Sequence, residues 1–70
     1  MSTMRAAMLD YTKRRIEVTR DLVLDDIVST VVALAEGRHD DAVRHCAAYA
    51  LRTSALVSLC VVCASLSGDP

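Results

Sequence analysis

The sequence predicts an all-α protein, an antiparallel hairpin of two long helices that dimerises into a four-helix bundle. Two long runs lack glycine and proline, and one short polar segment containing Gly37 separates them. Apolar residues recur in both runs at helical spacing. The composition is 53% hydrophobic, more than a lone hairpin can cover, because each helix of a pair buries only one side.

The 70 residues make one domain. Gly37 suits the left-handed position that follows a helix end. Asp40 and Asp41 suit the first turn of a new helix, where acidic side chains meet the positive end of the dipole. We therefore expect a helix over about 4–36, a turn over 37–39, a helix over about 40–66 and a short polar tail over 67–70.

The first helix carries two apolar stripes, and two stripes on one helix require two burial partners. One partner is the second helix of the hairpin, and the other must come from elsewhere. The first stripe comprises Met4, Met8, Tyr11, Val18 and Leu22. The second comprises Leu9, Ile16, Val23, Ile27 and Leu34.

The charges of the first helix run against its dipole, since the net charge is positive up to Arg20 and negative beyond it. One explanation is a break near Arg20, with Asp21 capping a separate helix. The other is a continuous helix that pairs antiparallel with a copy of itself, setting residues 13–15 beside residues 25–26 of the other chain. Without glycine or proline near Arg20, the continuous helix is favoured.

The second helix carries a heptad seam of small side chains at alternating spacings of three and four, which suits close helix–helix contact. The seam comprises Ala42, Cys46, Tyr49, Thr53, Leu56 and Cys60. The predicted interface to a partner comprises Leu9, Ile16, Val23, Ile27, Leu34, Cys46, Tyr49, Thr53, Leu56 and Cys60. Since Cys46 and Cys60 are symmetric about Thr53, antiparallel second helices of two chains would bring Cys46 near Cys60.

The sequence predicts no enzyme, metal site, cofactor or small-molecule substrate. The C-x-x-C spacing of Cys60 and Cys63 offers half of a metal site, and the facing segment of the first helix lacks the other half. Buried cysteine also behaves as a small hydrophobe. His45 and Cys46 are adjacent, so they point about 100° apart on a helix and make no nucleophile–base pair.

A basic cluster on the first helix is the feature that would suit nucleic acid. Doubled in a dimer, it would form a stripe for phosphates. Tyr11 is the sole aromatic residue near it, and the net charge is −1, so ion pairing is the favoured use of these charges. The cluster comprises Lys13, Arg14, Arg15 and Arg20.

Three cysteines, an odd number, predict a reducing, cytoplasmic compartment. No apolar segment follows the first residues, so we expect no signal peptide. The most apolar run, 54–67, has about 14 residues where a membrane span needs roughly 20. Extending the run back to Cys46 would include Arg52, so a membrane helix is not favoured.

These observations predict a small helical module for protein–protein interaction, a regulator, adaptor or inhibitor. It would act as a homodimer or as a subunit of a larger complex. The alternative is a dimeric nucleic-acid-binding regulator that uses the basic stripe on the first helix.

Overall fold

The computed structural model describes residues 2–68, with side chains from Met4 onward. It is all-helical, with α1 over Ser2–Ala35 and α2 over His39–Ser67. The two helices pack against each other as a hairpin of 54 × 17 × 13 Å. The predicted all-α helical hairpin is therefore confirmed. Of the predicted polar tail, Asp69 and Pro70 lie outside the described residues.

Helix α1 is continuous through Arg20. Two of its basic side chains are paired with acids of the same helix: Arg14 contacts Asp10 at 2.7 Å, and Arg20 lies 3.6 Å from Asp21. Asp26 is buried and bonded to a residue of α2, whereas Asp25 is exposed. The antiparallel pairing of α1 with a second copy stays a prediction.

The end of α1 is a two-bond cap around Gly37. The Gly37 N–H donates to the Leu34 carbonyl at 3.1 Å, and the Arg38 N–H donates to the Ala33 carbonyl at 2.8 Å. This Schellman pattern needs a left-handed residue, and Gly37 has a φ of +73°. Other residues pay about 1–2 kcal/mol in that conformation, so the glycine sets where the chain reverses.

Helix α2 begins at His39, one residue earlier than predicted. Arg38 is the N-cap residue, and its carbonyl accepts the Ala42 N–H at 3.0 Å. The Arg38 side chain donates to Asp41 at 2.7 Å and to Glu36 at 2.9 Å. These bonds tie the last residues of α1 to the first turn of α2.

The Arg38 hydrogen bond holds the pKa of Asp41 below its usual value. A carboxyl whose folded pKa is depressed stabilises the fold above its unfolded pKa of about 3.9, and this contribution is lost as pH falls through the folded pKa. Asp41→Asn should therefore lower the melting temperature at neutral pH and converge with the unmodified protein in strong acid, measured by circular dichroism.

Asp40→Asn is the control, because Asp40 shares the first turn of α2. Its melting temperature gives the effect of losing a carboxylate near the positive end of the helix dipole, because Asp40 makes no hydrogen bond to Arg38. A melting difference for Asp41→Asn that stays constant from neutral pH into strong acid would contradict the prediction.

The helices meet along a seam with spacings of three and four residues, as in a coiled coil. Side chains on this seam are buried or half-buried, whereas their neighbours along the chain are mostly exposed. On α1 the seam comprises Leu9, Thr12, Ile16, Thr19, Val23, Asp26, Thr30 and Ala33. On α2 it comprises Ala42, His45, Ala48, Arg52, Leu56, Leu59, Cys63 and Leu66.

Much of this seam is polar, and several of its polar groups have partners close by, whereas the buried hydroxyl of Thr53 beside the seam has none among the described residues. The Thr12 hydroxyl donates to the Met8 carbonyl at 2.8 Å, and the Thr30 hydroxyl donates to the Asp26 carbonyl at 2.7 Å. Such back-bonding satisfies the hydroxyl within its own helix and lets threonine occupy a seam position. The described hydrophobic core is correspondingly small: it consists of Val23, Ala33 and Ala42.

One ion pair crosses the seam. Arg52 donates to both carboxylate oxygens of Asp26, at 2.8 and 2.9 Å, and Asp26 is 5% exposed. At the far end, Arg5 donates to the Leu66 carbonyl at 2.7 Å, where a cation meets the negative end of α2. These two contacts hold the register of α1 against α2.

Candidate interaction surfaces

The hairpin exposes more surface than a compact protein of its mass. Its accessible area is 5198 Å², whereas a folded monomer of 7.6 kDa exposes about 4,300 Å². Its radius of gyration is 15.9 Å, against about 11 Å for a compact domain of this length. Among the described residues, seventeen large apolar side chains are exposed. The excess surface is therefore strongly apolar.

One exposed apolar surface lies beside the turn, and we call it the turn-end face. On α1 each of its members directly follows a seam residue, so all lie on one flank of the helix. Two adjoining grooves between the helices share Thr30 and Cys46. The first groove, of about 200 Å³, is also lined by Ile27, Val31 and Tyr49. The turn-end face comprises Leu24, Ile27, Val31, Leu34, Val43, Cys46 and Tyr49, all exposed.

A second exposed apolar surface lies near the chain termini, and we call it the terminal-end face. On α1 four members directly precede a seam residue, so this face lies on the flank opposite the turn-end face. A groove of about 460 Å³ runs between Met8 and Tyr11 on α1 and Val62 on α2. Arg15 precedes Ile16 and therefore lies on the same flank. The terminal-end face comprises Met4, Met8, Tyr11, Val18, Leu22 and Val62, all exposed.

The ten predicted interface residues divide into two sets. One set lies in or beside the hairpin seam: Leu9, Ile16, Val23, Thr53 and Leu56. The other set stays exposed: Ile27, Leu34, Cys46, Tyr49 and Cys60. Four of these five belong to the turn-end face. Their use as an intermolecular interface stays a prediction.

The predicted interface left out Leu24, Val31 and Val43 of the turn-end face. The contact positions were predicted from the spacing of apolar residues. Thr12, Thr19 and the other polar residues of the seam were therefore not predicted as contacts. The available signal was the spacing of Thr12, Thr19 and Thr30 by 7 and 11 residues, which keeps them on one side of a helix. If these threonines face the other helix, the apolar residues next to them in the sequence must lie on the flanks of α1.

The four basic residues of the predicted nucleic-acid stripe do not share one side of α1. Lys13, Arg14 and Arg15 are consecutive, so together they span about 200° of the helix circumference. Arg14 is paired with Asp10 and Arg20 with Asp21. Alone, the hairpin therefore presents separate cations along α1 and no continuous basic track.

The three cysteines are free, with Cys46 and Cys60 exposed and Cys63 half-buried in the seam. Cys46, Thr53 and Cys60 are spaced by seven, so they lie on one flank of α2. Within residues 2–68, no group of three histidine, cysteine or acidic side chains is placed to hold a metal ion. Of the C-x-x-C pair, Cys63 lies in the seam and Cys60 lies on the exposed flank.

Helix α2 is long and apolar enough to cross a membrane by length and composition alone. Its most apolar 18-residue window has a mean hydropathy of 1.7, and none of that window is buried within the hairpin. The helices of soluble bundles meet the same criterion. By itself the property is weak evidence for a membrane span.

Comparison with protein-family models, with curated proteins and with solved structures finds no match to this chain. The two exposed apolar faces are therefore the features of this chain that bear on its function.

Proposed function

We propose that this chain is a small helical protein–protein interaction module in the cytoplasm, a regulator, adaptor or inhibitor. It acts as a homodimer or as a subunit of a larger complex. The observation that carries the proposal is the exposure of seventeen large apolar side chains around a described hydrophobic core of three residues. The excess area of roughly 900 Å² over a compact monomer is close to the roughly 800 Å² that each partner contributes to a standard interface.

Association would also supply stability that the hairpin lacks. Cores of this size rarely provide more than roughly 3–5 kcal/mol, and here half of the α1 seam is threonine or aspartate. A partner that binds only the folded hairpin shifts the equilibrium toward it. Folding and binding are therefore expected to be coupled.

The two faces lie on opposite flanks and at opposite ends of the hairpin, so a partner on one leaves the other uncovered. This arrangement supports an adaptor role, in which one face holds an assembly together and the other recruits. In the alternative, a dimeric nucleic-acid-binding regulator, two copies of the cluster at 13–20 would have to combine their cations into one track. The pairing of Arg14 and Arg20 with acids makes this the less supported function.

Thermal unfolding at increasing protein concentration tests the proposal. A partner at a hundredfold excess over its dissociation constant contributes about 2.7 kcal/mol, so the melting temperature should rise by roughly 10–20 °C. The protein should need no detergent and carry no nucleic acid. Leu51→Asp is the control, since Leu51 is 74% exposed and lies on neither face; its melting temperature should rise in the same way.

A folded monomer whose melting temperature is independent of concentration would contradict the homodimer and leave a different protein as the partner. A chain that also binds no other protein would contradict the proposal. Nucleic acid that co-purifies and is lost on charge reversal of Lys13 and Arg15 would favour the alternative. Recovery only in detergent would assign α2 to a membrane.

A further inference from the structure

We infer that a second copy of this chain covers the turn-end face, with α1 of each protomer packed on α2 of the other and the two turns at the same end. The inference rests on the proposed function and specifies its partner, its face and its orientation. It makes the predicted four-helix bundle one in which every helix is antiparallel to its neighbours.

The first argument is charge. Two-fold pairing sets a surface against itself, so any charged residue near the axis meets its own copy. The seven residues that define the turn-end face are all uncharged. His39 is the residue with a basic side chain among those that line its grooves, in the groove that also holds Leu34 and Val43. This face can therefore pair with its copy without bringing like charges together.

The second argument is side-chain size. The α1 side of the face carries large branched side chains, Leu24, Ile27, Val31 and Leu34, which are 42–59% exposed. The α2 side carries Val43 and Cys46, which are smaller, and Tyr49, which is larger. Packing α1 on the α2 of a second copy sets the branched α1 side chains over the space that Val43 and Cys46 leave beside Tyr49, and the two-fold repeats each contact. Packing like helices together would set the large α1 side chains against one another.

The third argument concerns the other half of the same flank. Asp10, Lys13, Glu17 and Arg20 each directly follow a seam residue, so two acids and two bases alternate on the flank of the turn-end face, nearer the termini. In the proposed orientation Lys13 and Arg20 would lie over Val57 and Cys60 of the second copy. Their methylene stems can cover such small apolar side chains while the charged groups stay in water.

The terminal-end face suits a second copy less well. Arg15 interrupts its row on α1, and Arg5 lines one of its grooves beside Met4 and Met8. Asp25 directly precedes the seam residue Asp26 and shares this flank. Two-fold pairing there would therefore have to match the charges of Arg5, Arg15 and Asp25 across the interface, a condition that the uncharged turn-end face does not impose. We assign this face to a different partner.

Three matched valine substitutions test the inference by light scattering on a sizing column. Val31 lies on the turn-end face and is 59% exposed, and Val18 lies on the terminal-end face. Val28 is 61% exposed, one turn from Val31, and lines none of the grooves described above. The unmodified protein, Val18→Glu and Val28→Glu should be dimers. Val31→Glu should weaken dimerisation by a hundredfold or more, because it buries an unpaired carboxylate twice per dimer.

A second measurement covers the case in which Val31→Glu fails to fold. Alkylation of Cys46 in the otherwise unmodified protein, located by mass spectrometry, should slow as concentration rises through the dimerisation range. A cysteine introduced by Val28→Cys should react at a constant rate. Equal reactivity of Cys46 at all concentrations would overturn the inference.

The remaining outcomes separate this inference from the proposed function. A dimer that survives Val31→Glu and is lost in Val18→Glu would overturn the face and leave the interaction module standing. An unmodified chain that is unfolded or aggregated would overturn the second copy as occupant and point to a missing partner. A stably folded monomer would overturn this inference and the homodimer, and would leave only the heteromeric form of the proposed function. Oxidation that links Cys46 to Cys60 of another chain would overturn the orientation in favour of antiparallel α2 helices about Thr53.

Discussion

Replacement of Arg52 by leucine should lower the free energy of unfolding by about 2–3 kcal/mol. Asp26 is 5% exposed and accepts two hydrogen bonds from Arg52, so the substitution leaves a buried carboxylate without its partner. Breaking a fully buried pair costs about 3–5 kcal/mol. The Arg52 side chain is 41% exposed, and water at that end of the pair reduces the cost. Urea unfolding followed by circular dichroism measures the difference.

The double variant Asp26→Leu with Arg52→Leu separates a broken pair from a lost arginine. Replacing both members with apolar side chains removes the uncompensated charge and continues the apolar seam, so most of the lost stability should return. Arg14→Leu is the surface control. Its pair with Asp10 is largely exposed, and such pairs contribute about 0–1 kcal/mol. A double variant as unstable as Arg52→Leu would show that the pair does not hold the seam.

Enlarging Ala33 to leucine should destabilise the hairpin by about 1–3 kcal/mol, the usual cost of overpacking. Ala33 is fully buried, and Ala42, on α2 beside the turn, is nearly so. Both positions lie within a few residues of the Gly37 cap, where the short turn keeps the two helices close. The added volume would have to push them apart. In a core worth a few kcal/mol, this loss would leave a measurable fraction of the chains unfolded.

Ala35→Leu is the matched control, since Ala35 ends α1 two residues later and is exposed. Surface changes of this kind usually stay within about 0.5 kcal/mol. The comparison needs only the unfolding midpoints of the two variants. Equal midpoints would show that the helices are not held together at Ala33.

The sequence predicted the helices because the relevant signals are local. Absence of glycine and proline on either side of Gly37 leaves two long helical runs. Gly37 itself marks the reversal, because the cap needs a left-handed residue there. Boundaries differ by a residue or two: α2 begins at His39 since the Arg38 carbonyl already accepts a helical hydrogen bond.

The two apolar stripes of α1 were readable from the sequence, but which of them meets α2 was not. All five members of the first stripe, from Met4 to Leu22, are exposed in the hairpin, whereas Leu9, Ile16 and Val23 of the second stripe, predicted for a partner, lie in the seam. Spacing alone identifies such a stripe because its residues are uniformly apolar. The stripe does not identify what covers it, since protein and lipid would bury the same side chains.

Which side of each helix faces the other was decided only by the tertiary structure. Asp26 and Arg52 are 26 positions apart, and neither reads as a core residue until the two meet. Thr12 and Thr30 likewise become seam residues by donating to their own helix. The spacing of apolar residues within one helix does not include contacts made with the other helix. The contact between Asp26 and Arg52 joins the two helices in an orientation that leaves Ile27, Leu34 and Cys46 on the surface.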